Sequence, residues 1–301
     1  MNLINPKKII FWGTPMLTIE ILESLKGVGY MPIAIVTNPD RPVGRHGTIT
    51  PSPAKVWGEQ NTLPILQPEK ITPEFIEEIK NLDPDLHIVV AYGKILPEEI
   101  IDLPKYGTIN IHYSLLPKYR GATPVESAIL TGDTETGVCI QKMVYELDAG
   151  DILAEEKIDI DEYEKAFELR ARLNTIASAL LTKILPEYFE NNITPQKQIG
   201  TASFCKKIKK EDGLITEIEI QNAEIDETTA RNLWNKFRAY TPWPSLYFFK
   251  LRKALPSENE RQDLPENIRI KITSAVCKNG KFIIQKIIPE GKKEIDYKNI
   301  F

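Results

Sequence analysis

The sequence predicts an α/β protein in which a mostly parallel sheet, covered on both faces, is followed by a small β-barrel. In the first part of the chain, nearly continuous apolar runs of strand length alternate with stretches of helical spacing, which is the pattern of a parallel sheet between layers of helices. Towards the end, I-R-I-K-I-T and K-F-I-I-Q-K-I-I alternate apolar and charged positions, as the strands of a small barrel do. A length of 301 residues suits two domains, since a domain typically has roughly 100–200 residues.

The elements can be assigned in order along the chain. Strands are predicted for K-K-I-I-F-W-G, M-P-I-A-I-V-T, P-I-L-Q, D-L-H-I-V-V-A-Y-G, T-I-N-I-H, T-G-V-C-I-Q-K-M-V and D-I-L-A-E-E-K-I-D-I. Helical spacing predicts helices from L-T-I-E-I-L-E-S-L and over residues 73–82, 98–102, 123–130, 163–188 and 228–238. The polar, punctuated stretch E-N-N-I-T-P-Q-K-Q-I-G-T is the best linker. We therefore expect a first domain at 1–188, a linker at 189–204 and a second domain at 205–301.

The composition is that of a soluble globular protein, with 42% hydrophobic and 27% charged residues. No apolar run approaches the ~18 residues that a membrane helix needs, so no membrane partner is expected. The three cysteines Cys139, Cys205 and Cys277 are widely spaced and form no C-x-x-C pair. This spacing excludes a zinc knuckle, leaves no metal site to expect, and favours a reducing, cytoplasmic location.

The charge is divided unevenly along the chain. The net charge of −4 splits into −9 for residues 1–204 and +5 for residues 205–301. A basic second domain behind an acidic body indicates that this domain meets a polyanion. On charge alone, a chance surplus of surface lysines is an equal alternative.

The candidate chemistry lies where a predicted strand ends. Asn110 and His112 are two residues apart, so their side chains point to the same face of the strand. Asp148 follows in L-D-A-G-D. An amide donor, a base near neutrality and a carboxylate to orient it are the equipment of acyl-type transfer, and ligands bind at the carboxyl ends of parallel strands. The alternatives are a strand-edge amide, a structural histidine and a turn-starting aspartate.

The other sequence motifs are weaker indications of function. The phosphate-loop motif G-x-x-x-x-G-K-[ST] does not occur. The glycine fingerprint G-x-G-x-x-G is also missing, which argues against a dinucleotide-dependent oxidoreductase. Ser114 has no G-x-S-x-G elbow around it, which argues against a serine nucleophile. Asp40–Gly47 is a loop with two arginines that can approach a phosphate or lie in solvent.

Longer motifs make the chain resemble the folate-dependent formyltransferases nearly end to end. They are F-W-G-T-P, N-P-D-R-P-V-G-R, V-V-A-Y-G-K-I-L-P, N-I-H-Y-S-L-L-P-K-Y-R-G-A-T-P, L-D-A-G-D-I-L, K-K-E-D-G, R-A-Y-T-P-W-P and I-P-E-G-K-K. The motif at Asn110 is specific to the superfamily, and the loop at 38–53 and the tail motifs resemble its tRNA branch.

The resemblance implies a Rossmann-like catalytic domain followed by an OB-like barrel that helps to hold tRNA. It makes Asn110, His112 and Asp148 the catalytic residues. The implied reaction moves a formyl group from 10-formyltetrahydrofolate to the α-amino group of methionine on initiator tRNA, for translation initiation. We expect a monomer.

The resemblance also implies the binding residues. Folate contacts are expected from Val90, Tyr92, Gly93, Ser114, Leu115, Leu116, Pro117 and Val144, with a cis peptide at Leu116–Pro117. Contacts with tRNA are expected from Arg41, Arg45, Lys206, Lys209 and Lys210. His46, Gly47 and Thr48 stand where the family often has lysines, and the barrel is shortened. These departures concern the contacts with tRNA more than the chemistry.

Two other functions remain open on the sequence. One is a formyltransferase for an amino-sugar nucleotide, which would not need a basic tail or the loop with two arginines. The other is a catalytically inactive RNA-binding relative, against which the intact trio argues.

Overall fold

The computed structural model of the protein describes residues 7–44, 47–251 and 267–300. The chain forms two compact units. The first unit contains the residues up to Pro124, Glu135–Asp159 and Arg170–Cys205, and the second contains Val125–Thr134, Ile160–Leu169 and the residues from Lys206 onward. The second unit thus takes in two segments that precede the predicted linker. The domain boundaries at 188 and 205 stay a prediction.

The first unit is built on a seven-stranded sheet in the order β10-β9-β7-β6-β1-β2-β5. Strands β5, β2, β1, β6 and β7 pair in parallel. At one edge, β9 is antiparallel to β7, and β10 is antiparallel to β9. The predicted mostly parallel, Rossmann-like sheet is therefore confirmed. The remaining strands of this unit form an antiparallel hairpin, β3 with β4, and a parallel pair, β8 with β11. The strands are β1 (Ile9–Gly13), β2 (Ala34–Val36), β3 (Arg41–Val43), β4 (Thr48–Thr50), β5 (Ile65–Leu66), β6 (Leu86–Val90), β7 (Thr108–His112), β8 (Arg120–Gly121), β9 (Glu135–Lys142), β10 (Ile152–Asp159) and β11 (Phe204–Cys205).

Burial explains why these segments are strands. All five residues of β1 and of β6 are buried, as expected for central strands of a sheet that is covered on both faces. The Trp12 ring on β1 contacts the Tyr92 ring just beyond β6, with centroids 5.4 Å apart. The continuous apolar runs in the sequence therefore mark the core of the first unit.

The helices begin where the sequence supplies caps. Ser52 and Thr72 each accept a hydrogen bond from the backbone N–H three residues on, and each is followed by a proline at the first helical position; both features favour a helix start. The helices are α1 (Thr18–Gly27), α2 (Pro53–Gln60), α3 (Pro73–Asn81), α4 (Glu98–Ile101), α5 (Pro124–Thr131), α6 (Ala166–Phe189), α7 (Glu217–Asn222) and α8 (Glu227–Tyr240). None of the described helices is long and apolar enough to cross a membrane.

The second unit contains a four-stranded antiparallel sheet in the order β12-β13-β14-β15. Asn279 and Gly280, both at positive φ, connect β13 to β14 in the manner of a tight hairpin turn. Helix α8 packs on this sheet, and the Phe237 and Phe282 rings lie 6.3 Å apart. The sheet confirms a small C-terminal β domain. Its strands are β12 (Tyr247–Leu251), β13 (Asn267–Lys278), β14 (Lys281–Pro289) and β15 (Ile295–Asp296).

Candidate active site

The candidate site lies in the first unit, at the carboxyl end of β7. Asn110 is opposite Val89 of β6 on one side and opposite Gln141 of β9 on the other. His112, two residues further, is only 5% exposed, whereas Asn110 is half-buried. The alternation along the strand places both polar side chains on one face of the sheet, as the spacing in the sequence predicts.

Both nitrogens of the His112 ring face protein oxygens. Nε2 lies 2.9 Å from the backbone oxygen of Tyr119, and Nδ1 lies 3.6 Å from Oδ2 of Asp148. A carbonyl oxygen can only accept, so Nε2 carries a hydrogen and donates it to Tyr119. In the neutral ring Nδ1 is then unprotonated, and it faces the carboxylate without a hydrogen bond, which agrees with the longer distance.

Burial sets the charge state of the His112 ring. Desolvation lowers the pKa of His112, and the charge of Asp148 and the hydrogen bond to Tyr119 oppose this with smaller effects. Burial penalises the imidazolium because a charge is poorly solvated in the interior. The ring is therefore neutral near pH 7 and can accept a proton, and Asp148 is placed to stabilise the charge that results.

Asp148 is held by two donors. Its Oδ2 accepts from the backbone N–H of Gly121 at 2.7 Å, and its Oδ1 accepts from Nε2 of Gln141 at 2.9 Å. Gly121 has φ +120°, and a Cβ at this position would overlap the backbone oxygen of Cys205, so only glycine fits there. Asp148 itself has φ +47°, a left-handed conformation that aspartate tolerates better than most residues.

The structure brings the three sequence-predicted residues to one place, with His112 beside Asp148 and Asn110 two residues back on the same strand face. Sequence reasoning missed the residues that hold them. The sequence marks Gln141 as an interior residue of a strand, but its position opposite Asn110 depends on the antiparallel register of β7 and β9. The backbone groups of Tyr119 and Gly121 leave no signal in side-chain patterns.

Most of the predicted folate residues lie at the turns that follow β6 and β7; Val90 is the last residue of β6, and Val144 follows β9. The Tyr92 ring is buried in the core, so this residue offers mainly its backbone to a ligand. The Ser114 hydroxyl donates to the Lys118 backbone oxygen, and Leu116 packs with Cys139 and Ile152. The peptide Leu116–Pro117 is cis, as expected. Gly93 and Val144 are exposed, Leu115 is half-buried, and Val90 and Pro117 are buried. Their contacts with folate stay a prediction.

The predicted tRNA residues fall in separate parts of the chain. Arg41, in the hairpin of the first unit, pairs with Glu69 at 2.5 Å and is 60% exposed. Lys206, Lys209 and Lys210 are exposed residues of the second unit. Arg45 lies outside the described residues, so its role too stays a prediction.

Comparisons with known proteins identify the family of this chain. The family described as Formyl transferase matches residues 7–185. A methionyl-tRNA formyltransferase of Campylobacter jejuni is 41% identical over 304 residues, covering 96% of this chain and 94% of the relative.

Solved structures show the same fold. A methionyl-tRNA formyltransferase from Clostridium thermocellum has a TM-score of 0.54 at 18% identity and covers 94% of this chain and 98% of its own. A sugar 3N-formyltransferase, solved with dTDP and 5-N-formyl-tetrahydrofolate, has a TM-score of 0.60 at 17% identity. The match covers 96% of this chain and 100% of that protein's chain. The family match and the full-length relative together establish that this chain belongs to the formyltransferase family.

Proposed function

We propose that this enzyme transfers a formyl group from 10-formyltetrahydrofolate to the α-amino group of methionyl-initiator tRNA, through Asn110, His112 and Asp148. The observation that carries this proposal is the buried imidazole, with Nδ1 directed at the Asp148 carboxylate 3.6 Å away and an amide on the same strand face.

His112 is the proton acceptor. The methionyl amine attacks the formyl carbon through its lone pair and must then lose a proton. The Nε2–H of His112 is engaged with the Tyr119 carbonyl, so the proton is accepted at Nδ1, directly or through water. The imidazolium formed there lies beside Asp148, which stabilises it as the third member of a triad does.

Asn110 stabilises the developing negative charge. As the formyl carbon becomes tetrahedral, its oxygen gains charge, and the Asn110 amide donates a hydrogen bond to it. Collapse of this intermediate breaks the bond between the formyl carbon and the folate nitrogen. The imidazolium of His112 passes the proton that it accepted from the amine to this nitrogen, directly or through water, and the ring is neutral again. The products are N-formylmethionyl-tRNA and tetrahydrofolate, so atoms and charges balance.

The relatives support the choice of donor and acceptor. The relative from Campylobacter jejuni is named a methionyl-tRNA formyltransferase, and it aligns with this chain over 94% of its own length. The sugar 3N-formyltransferase was solved with a formylated folate. The excess positive charge of residues 205–301 supports contacts of the tail with tRNA phosphates. We also propose that the protein is a monomer located in the cytoplasm. The three free cysteines support the cytoplasmic location.

The acceptor is tested by offering the purified protein 10-formyltetrahydrofolate with methionyl-initiator tRNA, with methionyl-elongator tRNA, or with an amino-sugar nucleotide. We expect formylation of the initiator tRNA and at most weak formylation of the others. Formylation of the sugar alone would replace the acceptor that we propose. Failure with every acceptor would favour an inactive RNA-binding protein.

The role of the basic tail is tested by the salt dependence of tRNA binding. Replacing Lys206, Lys209 and Lys210 by alanine removes three exposed positive charges of the second unit. We expect the slope of log K against log salt to become less steep by about 0.7–0.9 for each tRNA phosphate that the variant no longer neutralises. The matched control replaces three exposed lysines of the first unit that are paired with carboxylates: Lys8, Lys80 and Lys157. Equal slopes for the two triple variants would refute the proposed contacts.

A further inference from the structure

The segment predicted as a linker lies against the candidate site. We call residues 196–205 the return segment. At its start, Gln196 and Ile152 exchange backbone hydrogen bonds of 2.7 and 2.8 Å. At its end, β11 pairs with β8, and the Ser203 hydroxyl accepts from the Tyr119 N–H at 2.9 Å. The return segment therefore joins the loop that carries Asp148 to the loop that carries Tyr119, all within the first unit.

One side chain of the return segment, Gln198, reaches both loops. Its Nε2 lies 2.8 Å from the backbone oxygen of Asp148 and 2.8 Å from that of Gly150. Its Oε1 accepts from Nε and Nη2 of Arg120, at 3.1 and 2.7 Å. A glutamine amide has two N–H donors and one oxygen with two lone pairs, so each capacity is used. The opposite orientation would set two donors against the guanidinium and an oxygen against two carbonyls, which fixes the orientation of the amide.

These contacts hold the partners of His112. Gln198 binds the backbone oxygen of Asp148, the same residue whose carboxylate faces the imidazole. Asp148 has φ +47°. Arg120 stands between Tyr119, whose carbonyl accepts from His112, and Gly121, whose N–H donates to Asp148. A shift of either loop would change the distance from Nδ1 of His112 to the carboxylate.

We propose that Gln198 is a positioning residue for formyl transfer, which sets the separation between His112 and Asp148 by tying together the two loops that carry their contacts. This inference rests on the proposed roles of His112 and Asp148. Gln198 is only half-buried, and its effect on the reaction passes through the backbone of Asp148 and through Arg120.

The test compares three variants of the full-length enzyme. Gln198→Ala removes all four hydrogen bonds. Gln198→Glu is nearly isosteric and keeps the contact with Arg120, but its carboxylate cannot donate to the two carbonyls. Gln196→Ala is the matched control, because the Gln196 side chain is exposed and donates to the backbone oxygen of Thr194, two residues away. Circular dichroism and thermal melting establish that each variant is folded.

We expect Gln198→Ala to lower kcat by about tenfold to a hundredfold, the size of effect that a misplacement on the order of 1 Å produces, while KM for both substrates changes little. Gln198→Glu lowers kcat in the same way, and Gln196→Ala behaves as the wild type. In Gln198→Ala the acid limb of the pH profile of kcat/KM moves to lower pH, because a displaced Asp148 supports the imidazolium less. Global destabilisation alone would lower the apparent kcat and leave the acid limb where it is.

Wild-type kcat in a folded Gln198→Glu or Gln198→Ala variant would overturn the proposal, as would a loss of kcat with an unmoved acid limb in Gln198→Ala. If Gln198→Ala does not fold, the kcat of Gln198→Glu decides. Asp148→Asn measured in the same series separates the catalytic roles from the positioning role. Full activity of Asp148→Asn would refute the proposed catalytic roles and this inference with them. An impaired Asp148→Asn beside an unimpaired Gln198→Ala would refute this inference alone.

Discussion

Replacing Asp148 by asparagine removes the negative charge that faces His112 and leaves the size of the side chain nearly unchanged. At the observed separation of 3.6 Å, a carboxylate attracts the imidazolium by about 5 kcal/mol when the effective dielectric constant is about 20. If the carboxylate stabilises the ring only in its charged form, loss of this attraction in Asp148→Asn lowers kcat by roughly 10³-fold, since about 1.4 kcal/mol corresponds to a tenfold change in rate.

The pH profile adds a second expectation with a definite sign. The charge of Asp148 raises the pKa of His112 against the larger, opposite effect of burial. Without that charge only the smaller support from Tyr119 remains, so the pKa of His112 falls further and the acid limb of kcat/KM moves to lower pH. The substrate amine also titrates, but it does so equally with both enzymes, so the shift between variants reports the protein.

The assay is formylation of initiator methionyl-tRNA at saturating 10-formyltetrahydrofolate, between about pH 5.5 and 8.5, which runs from about one unit below to about two units above the ordinary histidine pKa of about 6.5. Asp151→Asn is the matched control, because Asp151 lies in the same motif but pairs with Lys197 at 3.0 Å. An Asp148→Asn enzyme with kcat within about tenfold of the wild type and an unmoved acid limb would refute the reasoning.

Three further variants test the groups around the trio. Asn110→Ala removes the proposed oxyanion donor and lowers kcat under saturating substrates by about 10²–10³-fold; near-full turnover would remove Asn110 from the mechanism. Gln141→Leu removes a hydrogen bond to the Asp148 carboxylate, a type that contributes about 1.5–3 kcal/mol, so kcat/KM falls at least about tenfold. The melting temperature of this variant changes little, because leucine also removes the buried, unpartnered amide oxygen of Gln141; unchanged kcat/KM would show that the donor is dispensable. Gly121→Ala places a Cβ against the Cys205 carbonyl at φ +120° and destabilises the fold by about 1–3 kcal/mol with loss of activity; an unaltered thermal melt would contradict the close packing.

Much of the fold follows from the sequence because its signals are local. The apolar runs of β1 and β6 identify central strands, since all of their residues are buried. The i and i+2 spacing of Asn110 and His112 places both on one strand face, and the structure agrees. The alternating stretches I-R-I-K-I-T and K-F-I-I-Q-K-I-I lie in β13 and β14 of the second unit, as predicted.

The support of the site could not be predicted because it depends on register and on the backbone. Gln141 contacts Asp148 only because β9 runs antiparallel beside β7, and the sequence does not state this register. Gln198 lies in a polar stretch that has the composition of a linker. Its amide binds the backbone oxygens of Asp148 and Gly150, and because every residue has a backbone oxygen, the sequence does not reveal these partners. Such contacts become visible only when the chain is folded.

Single-turnover formyl transfer to initiator methionyl-tRNA, by the wild type and by His112→Ala, tests the central claim most directly. We expect the wild type to form N-formylmethionyl-tRNA and the variant to do so about 10²–10⁴-fold more slowly, the usual contribution of a positioned general base. Equal rates for the two enzymes, or no transfer by the wild type, would contradict the assignment of His112 as the base of a formyl transfer.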